Sequence, residues 1–289
     1  MDQPTTELRL LTPHAAFLIR KGSEKVLVVS DLHIGWEVAL AEEGVHVPSQ
    51  TTRLIDRLRH LVTLSKPDRL IVLGDVKHTV AKIELEEWRD VPKFFEEACK
   101  ILPRVQVIPG NHDGNLEALV PESVEILPPR GTTVGDLGLF HGHTWPEVEI
   151  LGCSTSVIGH VHPVVTFKDP MGFRITRQVW VRAPCDRKLI AKFVLRRHNL
   201  RLKKNVNPED VLKTRFNLDL RAEKLLIMPS FNDFLGGQAV NRSTITRRRR
   251  FRGFIGPVLR SGSVYLEKAE AYLLDGTFLG SLDNLRRLS

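Results

Sequence analysis

The chain of 289 residues is long enough to bury a sizeable core, and its 42% hydrophobic and 26% charged content is that of a soluble globular protein. No apolar run approaches the ~20 residues that span a bilayer, and the polar, acidic start Met1-Asp2-Gln3-Pro4-Thr5-Thr6-Glu7 is unlike a secretory leader, so neither a membrane role nor export is expected. Cys99, Cys153 and Cys185 are odd in number and widely separated, which disfavours a disulfide framework or a zinc ribbon and suits free thiols in a reducing cytoplasm.

The first half alternates strand and helix signals. Val26-Leu27-Val28-Val29-Ser30 is a buried-strand run, too short for a helix. Apolar residues at 54, 55, 58, 61 and 62 have helical spacing and predict a helix over Arg53 to Leu64. Leu70-Ile71-Val72-Leu73 is a second strand, closed by Gly74. Glu84 to Leu102 predicts helix, with Pro92 opening a second segment. Val105-Gln106-Val107-Ile108 is a third strand, stopped by Pro109-Gly110. Helices set between apolar strands argue for parallel pairing and an α/β layered fold.

After Pro121 the runs shorten: Val124 to Leu127, Gly138 to His141, Ser156 to Gly159, Val164 to Phe167, Phe173 to Val181 and Leu189 to Leu195. They predict a second, mostly antiparallel sheet packed against the first. Arg196 to Glu223 is polar and basic, with a weak helical signal near Pro208 to Thr214, and has the character of an insertion; Leu225 to Met228 returns to strand. The organisation expected is one domain over 1–289, with a motif core at 26–165, a basic insertion at 196–223 and a C-terminal closing segment at 225–289. The net charge of +8 is unevenly spread. Cys185 to Arg252 holds 18 Lys and Arg against 6 Asp and Glu, net +12, leaving −4 for the rest. Such asymmetry points to an anionic partner, nucleic acid being the usual one, although a merely solvated basic face gives the same count.

Each early strand ends in a polar cluster: Ser30-Asp31-Leu32-His33, Gly74-Asp75-Val76-Lys77-His78 and Gly110-Asn111-His112-Asp113. The carboxyl ends of parallel strands lie along one edge, where ligands bind, so segments more than 30 residues apart can meet there. His141-Gly142-His143 and Gly159-His160-Val161-His162 follow from the second half. Seven of the 11 histidines fall in these five clusters. Carboxylate, amide carbonyl and imidazole suit Mn²⁺, Fe²⁺ or Zn²⁺, and the lack of thiolates argues against a structural zinc site. An Asp-X-His alone is commonplace; five clusters in this order are not.

Asp-X-His, Gly-Asp, Gly-Asn-His-Asp, His-Gly-His and Gly-His-X-His in this order resemble the calcineurin-like metallophosphoesterases. Asp31-Leu32-His33-Ile34-Gly35-Trp36-Glu37, Gly74-Asp75-Val76-Lys77-His78, Glu87-Trp88-Arg89, Pro229-Ser230-Phe231-Asn232 with Gly236-Gly237 and Asn241, and Leu273-Leu274-Asp275-Gly276-Thr277 look like the archaeal SbcD-related phosphoesterases, kin of a repair nuclease subunit and of the DNA-ligase-associated phosphoesterases. The resemblance implies two mixed β-sheets flanked by helices in four α/β/β/α layers. It implies one divalent ion held by Asp31, His33, Asp75 and His162 and another by Asp75, Asn111, His141 and His160, with Asp75 bridging. Mn²⁺ leads as the metal, with Fe²⁺, Zn²⁺ or Ni²⁺ as alternatives. His112 would stand over the scissile phosphate, Asp113 would orient it or remain a solvated turn carboxylate, and His78 would lie near the phosphate. His143 suits a neighbour of the ligands better than a ligand.

Two ions roughly 3.5–4 Å apart lower the pKa of a bridging water and clamp phosphoryl oxygens for in-line attack, so the resemblance implies hydrolysis with no covalent phospho-enzyme. The leading expectation is a phosphodiesterase or nuclease-like hydrolase acting on nucleic acid or a nucleotide-like diester, with DNA-repair proteins as partners. A phosphodiesterase or phosphatase for small molecules or cyclic nucleotides is the alternative enzyme, and a non-catalytic nucleic-acid-binding scaffold the alternative of another class. The stretch Arg242 to Arg252, with its run Arg247 to Arg250, would separate polymer from small molecule by whether it lines the site.

Overall fold

A strand covered on both faces needs apolar residues at successive positions, and Val26 to Val29, Leu70 to Val72, and Val105 and Val107 are all buried. In the computed structural model, which describes residues 5–169, 171–203, 205–242 and 255–287, these runs belong to the first of two units, Met1–Pro129 with Ser230–Leu235. Its elements are β1 (Thr6–Leu10), β2 (Phe17–Lys21), β3 (Glu24–Val29), α1 (Trp36–Glu42), α2 (Thr51–Ser65), β4 (Arg69–Val72), α3 (Leu85–Ile101), β5 (Val105–Val107) and β6 (Val124–Ile126). The six strands form one mixed sheet in the order β1-β2-β3-β4-β5-β6. β3 to β6 are parallel neighbours, with Val29 opposite Val72 and Leu70 opposite Val105. Leu54, Ile55, Leu58 and Leu61 of α2 and Val91, Phe94, Phe95 and Ala98 of α3 bury their faces in the same core as the strands.

Three expectations change in this unit. The hairpin β1–β2 was not anticipated. Pro92 lies inside a continuous α3 rather than opening a second segment. Its ring removes one helical hydrogen bond, while buried Val91, Phe94 and Phe95 anchor the helix around it. Val124–Ile126 joins the first sheet, parallel to β5, rather than the second. The connection that brings it back holds a single 3₁₀ turn, Leu116–Ala118, so no helical period announces a crossover.

The second unit, Arg130–Pro229 with Gly236–Ser289, contains β7 (Thr132–Val134), β8 (Leu137–Leu139), β9 (Thr155–Ile158), β10 (Pro163–Lys168), β11 (Arg174–Pro184), α4 (Arg187–Arg197), α5 (Pro208–Phe216), β12 (Lys224–Ile227), β13 (Gln238–Ala239), α6 (Pro257–Arg260), β14 (Glu270–Leu273), β15 (Phe278–Ser281) and α7 (Leu282–Arg287). Its nine strands run β13-β10-β11-β12-β9-β8-β7, with β14 on β11 and β15 on β14. The sheet is mostly antiparallel, as expected, and mixed: among the described residues five of its eight pairings are antiparallel, while β8–β9, β9–β12 and β10–β13 pair in parallel.

Leu189 to Leu195 is helix, not strand. The Asp186 carboxylate accepts the Leu189 N–H at 3.0 Å as N-cap, and Ile190, Ala191, Val194 and Leu195 make one buried stripe. That stripe meets Leu212 of α5 with Leu220 and Ala222 in a small core of its own, so much of 196–223 is anchored. Arg247 to Arg250, and all of Arg242 to Arg252 beyond Arg242 itself, lie outside the described residues. Among the described residues no helix is long and apolar enough to cross a membrane.

Burial pushes the Cys153 thiol up to about 11, with the charge of Asp136 adding to it, and burial pushes Cys185 up to about 12. Both stay protonated at neutral pH, and the thiolate is the reactive form. Iodoacetamide labelling of the folded protein at pH 8 should be slow at both, rise about tenfold per pH unit in alkali, and become fast once urea unfolds the chain. Rapid labelling of either cysteine in the native protein at pH 8, read by peptide mass spectrometry, would contradict this burial.

Candidate metal centre

The first unit delivers its donors by continuing the parallel ladder past the strands. Beyond Val29 and Val72 the backbone still pairs: Asp31 N–H to Gly74 O at 3.0 Å, His33 N–H to Asp75 O at 2.9 Å, and Ile34 N–H to Val76 O at 2.8 Å. Asp31, His33 and Asp75 are buried, and one donor atom from each lies within 4.8 Å of the others. His33 Nε2 is 3.5 Å from Asp75 Oδ2 and His112 Nε2 is 3.9 Å from it. The rings of His33, His78 and His112 crowd together, with centroids 4.7 Å apart for His33–His112, 5.4 Å for His33–His78 and 5.9 Å for His78–His112.

The loops are held by charged acceptors. Asp113 Oδ1 accepts the N–H of Val76 at 2.8 Å and of Lys77 at 3.3 Å, and its Oδ2 accepts that of Gly110 at 2.7 Å. It is buried, not a solvated turn carboxylate, and it ties the loop after β4 to the loop after β5. The His112 N–H donates to Asp75 Oδ1 at 3.0 Å, and His112 Nδ1 is hydrogen-bonded to the His78 carbonyl. A Cβ at Gly110 would stand 2.1 Å from Asp75 Oδ1, so only glycine lets this backbone pass the carboxylate. Asn111 is the exception in the set: its residue is exposed, whereas Asp31, His33 and Asp75 are not.

In the second unit β8 and β9 are parallel neighbours, and the histidines follow their carboxyl ends. His141 is fully buried, and one donor atom each of His141 and His160 lie within 4.8 Å. Ring centroids are 5.0 Å apart for His141–His160 and 5.3 Å for His141–His143. His143 is thus in contact with the buried histidine. The His162 carbonyl accepts Gln238 N–H at 3.0 Å, and a Cβ at Gly237 would fall 2.1 Å from that carbonyl.

Ten non-glycine residues have positive φ among the described residues, and five of them are Asp31 (59°), His33 (43°), Asp75 (50°), His160 (66°) and His162 (46°). Such backbone costs on the order of 1–3 kcal/mol per residue and concentrates at functional sites. Buried carboxylates and imidazoles set on strained strand ends, with no thiolate among them, fit borderline divalent cations.

Two supports escaped the sequence reading. Ser230 Oγ donates to Asp31 O at 2.7 Å, Asn232 Nδ2 donates to Leu32 O at 3.0 Å, and Phe231 N–H donates to Ser30 O at 2.7 Å, so Ser230–Leu235 clamps the turn that carries Asp31 and His33. Fully buried Glu87 accepts the N–H groups of His78 at 2.9 Å, Thr79 at 2.7 Å and Glu84 at 3.0 Å. It thereby fixes the carbonyl that His112 leans on. Both lie in quoted motifs, Pro-Ser-Phe-Asn and Glu-Trp-Arg, whose polar residues within apolar surroundings were the available signal. Glu87→Ala should cost about 2–4 kcal/mol by urea unfolding, since it strands three donors. It should also slow turnover with His112 present and add little to a His112→Ala variant; additive effects would break the proposed link between them.

A family model for calcineurin-like phosphoesterases matches residues 24–202, more than half of the chain. A search of curated proteins finds no match. Among solved structures, the chain is similar to the nuclease MPE of Pseudomonas putida, with 18% identity, 95% of this chain and 100% of that one covered, and a TM-score of 0.49. It is also similar to the YfcE phosphoesterase of E. coli, with 21% identity, 50% and 73% covered, and a TM-score of 0.33. Both likenesses are distant, and the family match carries the assignment: the chain belongs to the calcineurin-like phosphoesterase family and is a metal-dependent phosphoric ester hydrolase with a candidate dinuclear His/Asp site.

Proposed function

We propose that the chain is a phosphodiesterase of the nuclease-like kind, acting on nucleic acid with two divalent ions, Mn²⁺ foremost. One ion would be held by Asp31, His33, Asp75 and His162, and the other by Asp75, Asn111, His141 and His160, with Asp75 common to both sets. The observation that carries this is the five left-handed ligand residues, all within the span of the family match. The ions, when bound, lower the pKa of the attacking water and neutralise charge on the phosphoryl oxygens.

The chain's own groups do the rest. Asp31 and Asp75 offer carboxylates already stripped of water, so little rearrangement is needed on binding. The His78 carbonyl on His112 Nδ1 fixes the ring and leaves Nε2 to face the departing oxygen. Asp113 acts by holding the backbone on either side of that pair. The His78 ring, packed beside His33 and His112, is within their reach for contact with phosphate.

The polymer reading rests on charge. On α4, Arg187, Lys188, Lys192, Arg196 and Arg197 are all exposed, and only Arg187 is within ion-pair distance of an acid, Glu223 at 3.6 Å, among the described residues. A row of unneutralised cations is what a phosphate backbone requires. The motif likeness to archaeal SbcD-related phosphoesterases agrees with it, and free thiols suit a cytoplasmic protein that meets repair partners.

With Mn²⁺ added, the protein should hydrolyse bis-p-nitrophenyl phosphate, and Asp75→Ala should abolish the reaction and the binding of Mn²⁺ followed by calorimetry. Equal rates in the two proteins would refute the shared ligand. Against single-stranded, double-stranded and cyclic substrates, polymers should lead. With about four phosphate contacts their binding should weaken roughly 50- to 150-fold between about 50 and 200 mM salt. No polymer preference and no salt effect would return the enzyme to small diesters.

A further inference from the structure

Outside the metal centre, the most unusual surface is the tip of the β10–β11 hairpin. The two strands pair from Val164–Gln178 to Lys168–Arg174. β11 gains its other neighbours only from Val179 onward, and β10 meets β13 only at Pro163 and Val164. The Asn241 side chain then closes the β10 edge, accepting the Thr166 N–H at 3.0 Å and donating to Thr166 O at 2.9 Å. Beyond this point the ribbon has two strands and no third among the described residues.

Alternation sorts its side chains onto two faces. Phe167 and Ile175 are opposite each other on one, and Lys168 and Arg174 are opposite each other on the other. Phe173 is 65% exposed, Met171 83%, and Phe167 and Ile175 are exposed as well. None of the four belongs to the unit's core. The turn is built to present them: Asp169 spends its carboxylate on the N–H groups of Met171 at 2.9 Å and Phe173 at 2.8 Å. Large exposed apolar groups of this kind mark a binding surface.

The charges say which partner. Like charges directly opposite on an antiparallel pair are destabilising, yet Lys168 faces Arg174 with no acid within ion-pair distance of either among the described residues. A phosphate between them would turn that repulsion into attraction. Each cation follows an aromatic residue in sequence, Phe167 before Lys168 on the opposite face of β10 and Phe173 in the turn before Arg174. A strand of nucleic acid along the open edge could set phosphates on the cationic face and fold bases onto the rings. A lipid surface would use the rings but not the alternation, and a second copy would bring its own cations to the same face.

We infer that the β10–β11 ribbon is a binding element for single-stranded nucleic acid, with Phe167 and Phe173 stacking on bases and Lys168 and Arg174 taking the adjoining phosphates. This rests on the nucleic-acid reading above and adds where the polymer is held. β10 begins one residue after His162, so a strand on the ribbon runs from the donor set outward.

The test is fluorescence anisotropy of the full chain with an oligothymidylate of about ten nucleotides. Phe167→Ala and Phe173→Ala should each weaken binding between about 5- and 150-fold, equivalent to about 1–3 kcal/mol, with Phe173→Trp restoring it. Lys168→Ala with Arg174→Ala should lower the salt slope. Thermal melting within about 2 °C of the parent, as expected of surface changes, keeps folding out of the comparison. Parent-like binding by the Phe variants overturns the ribbon alone. Absence of binding by the parent protein at low salt overturns both the ribbon and the polymer reading. A dimer that dissociates in the Phe variants, by sedimentation, or loss of binding to anionic vesicles instead of oligonucleotide, overturns it in favour of self-association or a membrane surface.

Discussion

The alignment of β3 with β4, carried past the strands by backbone bonds from Asp31, His33 and Ile34, is the constraint on which the rest depends. A parallel ladder in register brings carboxyl ends level, so whatever follows Val29 and Val72 must meet. Slipping the register by one residue would turn Asp31 and Asp75 to opposite faces. The site is in this sense a property of the sheet's hydrogen bonding before it is a property of any side chain. The same logic operates in the second unit, where β8 and β9 bring His141 and His160 together.

Such concentration of buried polar groups is expensive. Asp31 and Asp75 are shielded from water, and their cost is met in two ways. Local donors take some of the charge: the Ser30 hydroxyl lies 2.6 Å from Asp31 Oδ2, and the His112 N–H serves Asp75. Bound cations would take the remainder, which is why a member of this family places carboxylates there at all. Around them stand Asp113, Glu87, Ser230 and Asn232. They hold backbone, and each binds a loop that carries a donor.

The parts legible in the sequence were those with a single dominant cause. Val26 to Val29 and Leu70 to Val72 are apolar at every position because both faces are buried, and no helix has that pattern at that length. The strand-end clusters stood out because histidine is scarce elsewhere. What was missed had competing causes. Ile190, Ala191, Val194 and Leu195 look like a short apolar run unless the Asp186 cap is noticed. Val124–Ile126 lacks the crossover helix that would announce a parallel partner. Glu87 and Asn232 act through partners 9 and 200 residues away, at His78 and Leu32, and no local pattern reports a contact of that kind.

The left-handed conformation at Asp31, His33, Asp75, His160 and His162 narrows what these positions accept beyond what coordination chemistry demands. Asp, Asn and His enter that region more readily than other side chains, while β-branched ones are nearly barred from it. Glutamate at position 33 could still offer an oxygen to an ion, but it would meet the backbone at a disadvantage that histidine does not. Drift at these sites is thus confined to a three-letter alphabet by two independent filters, and a re-engineered centre would have to choose its donors from the same short list or rebuild the turns beneath them.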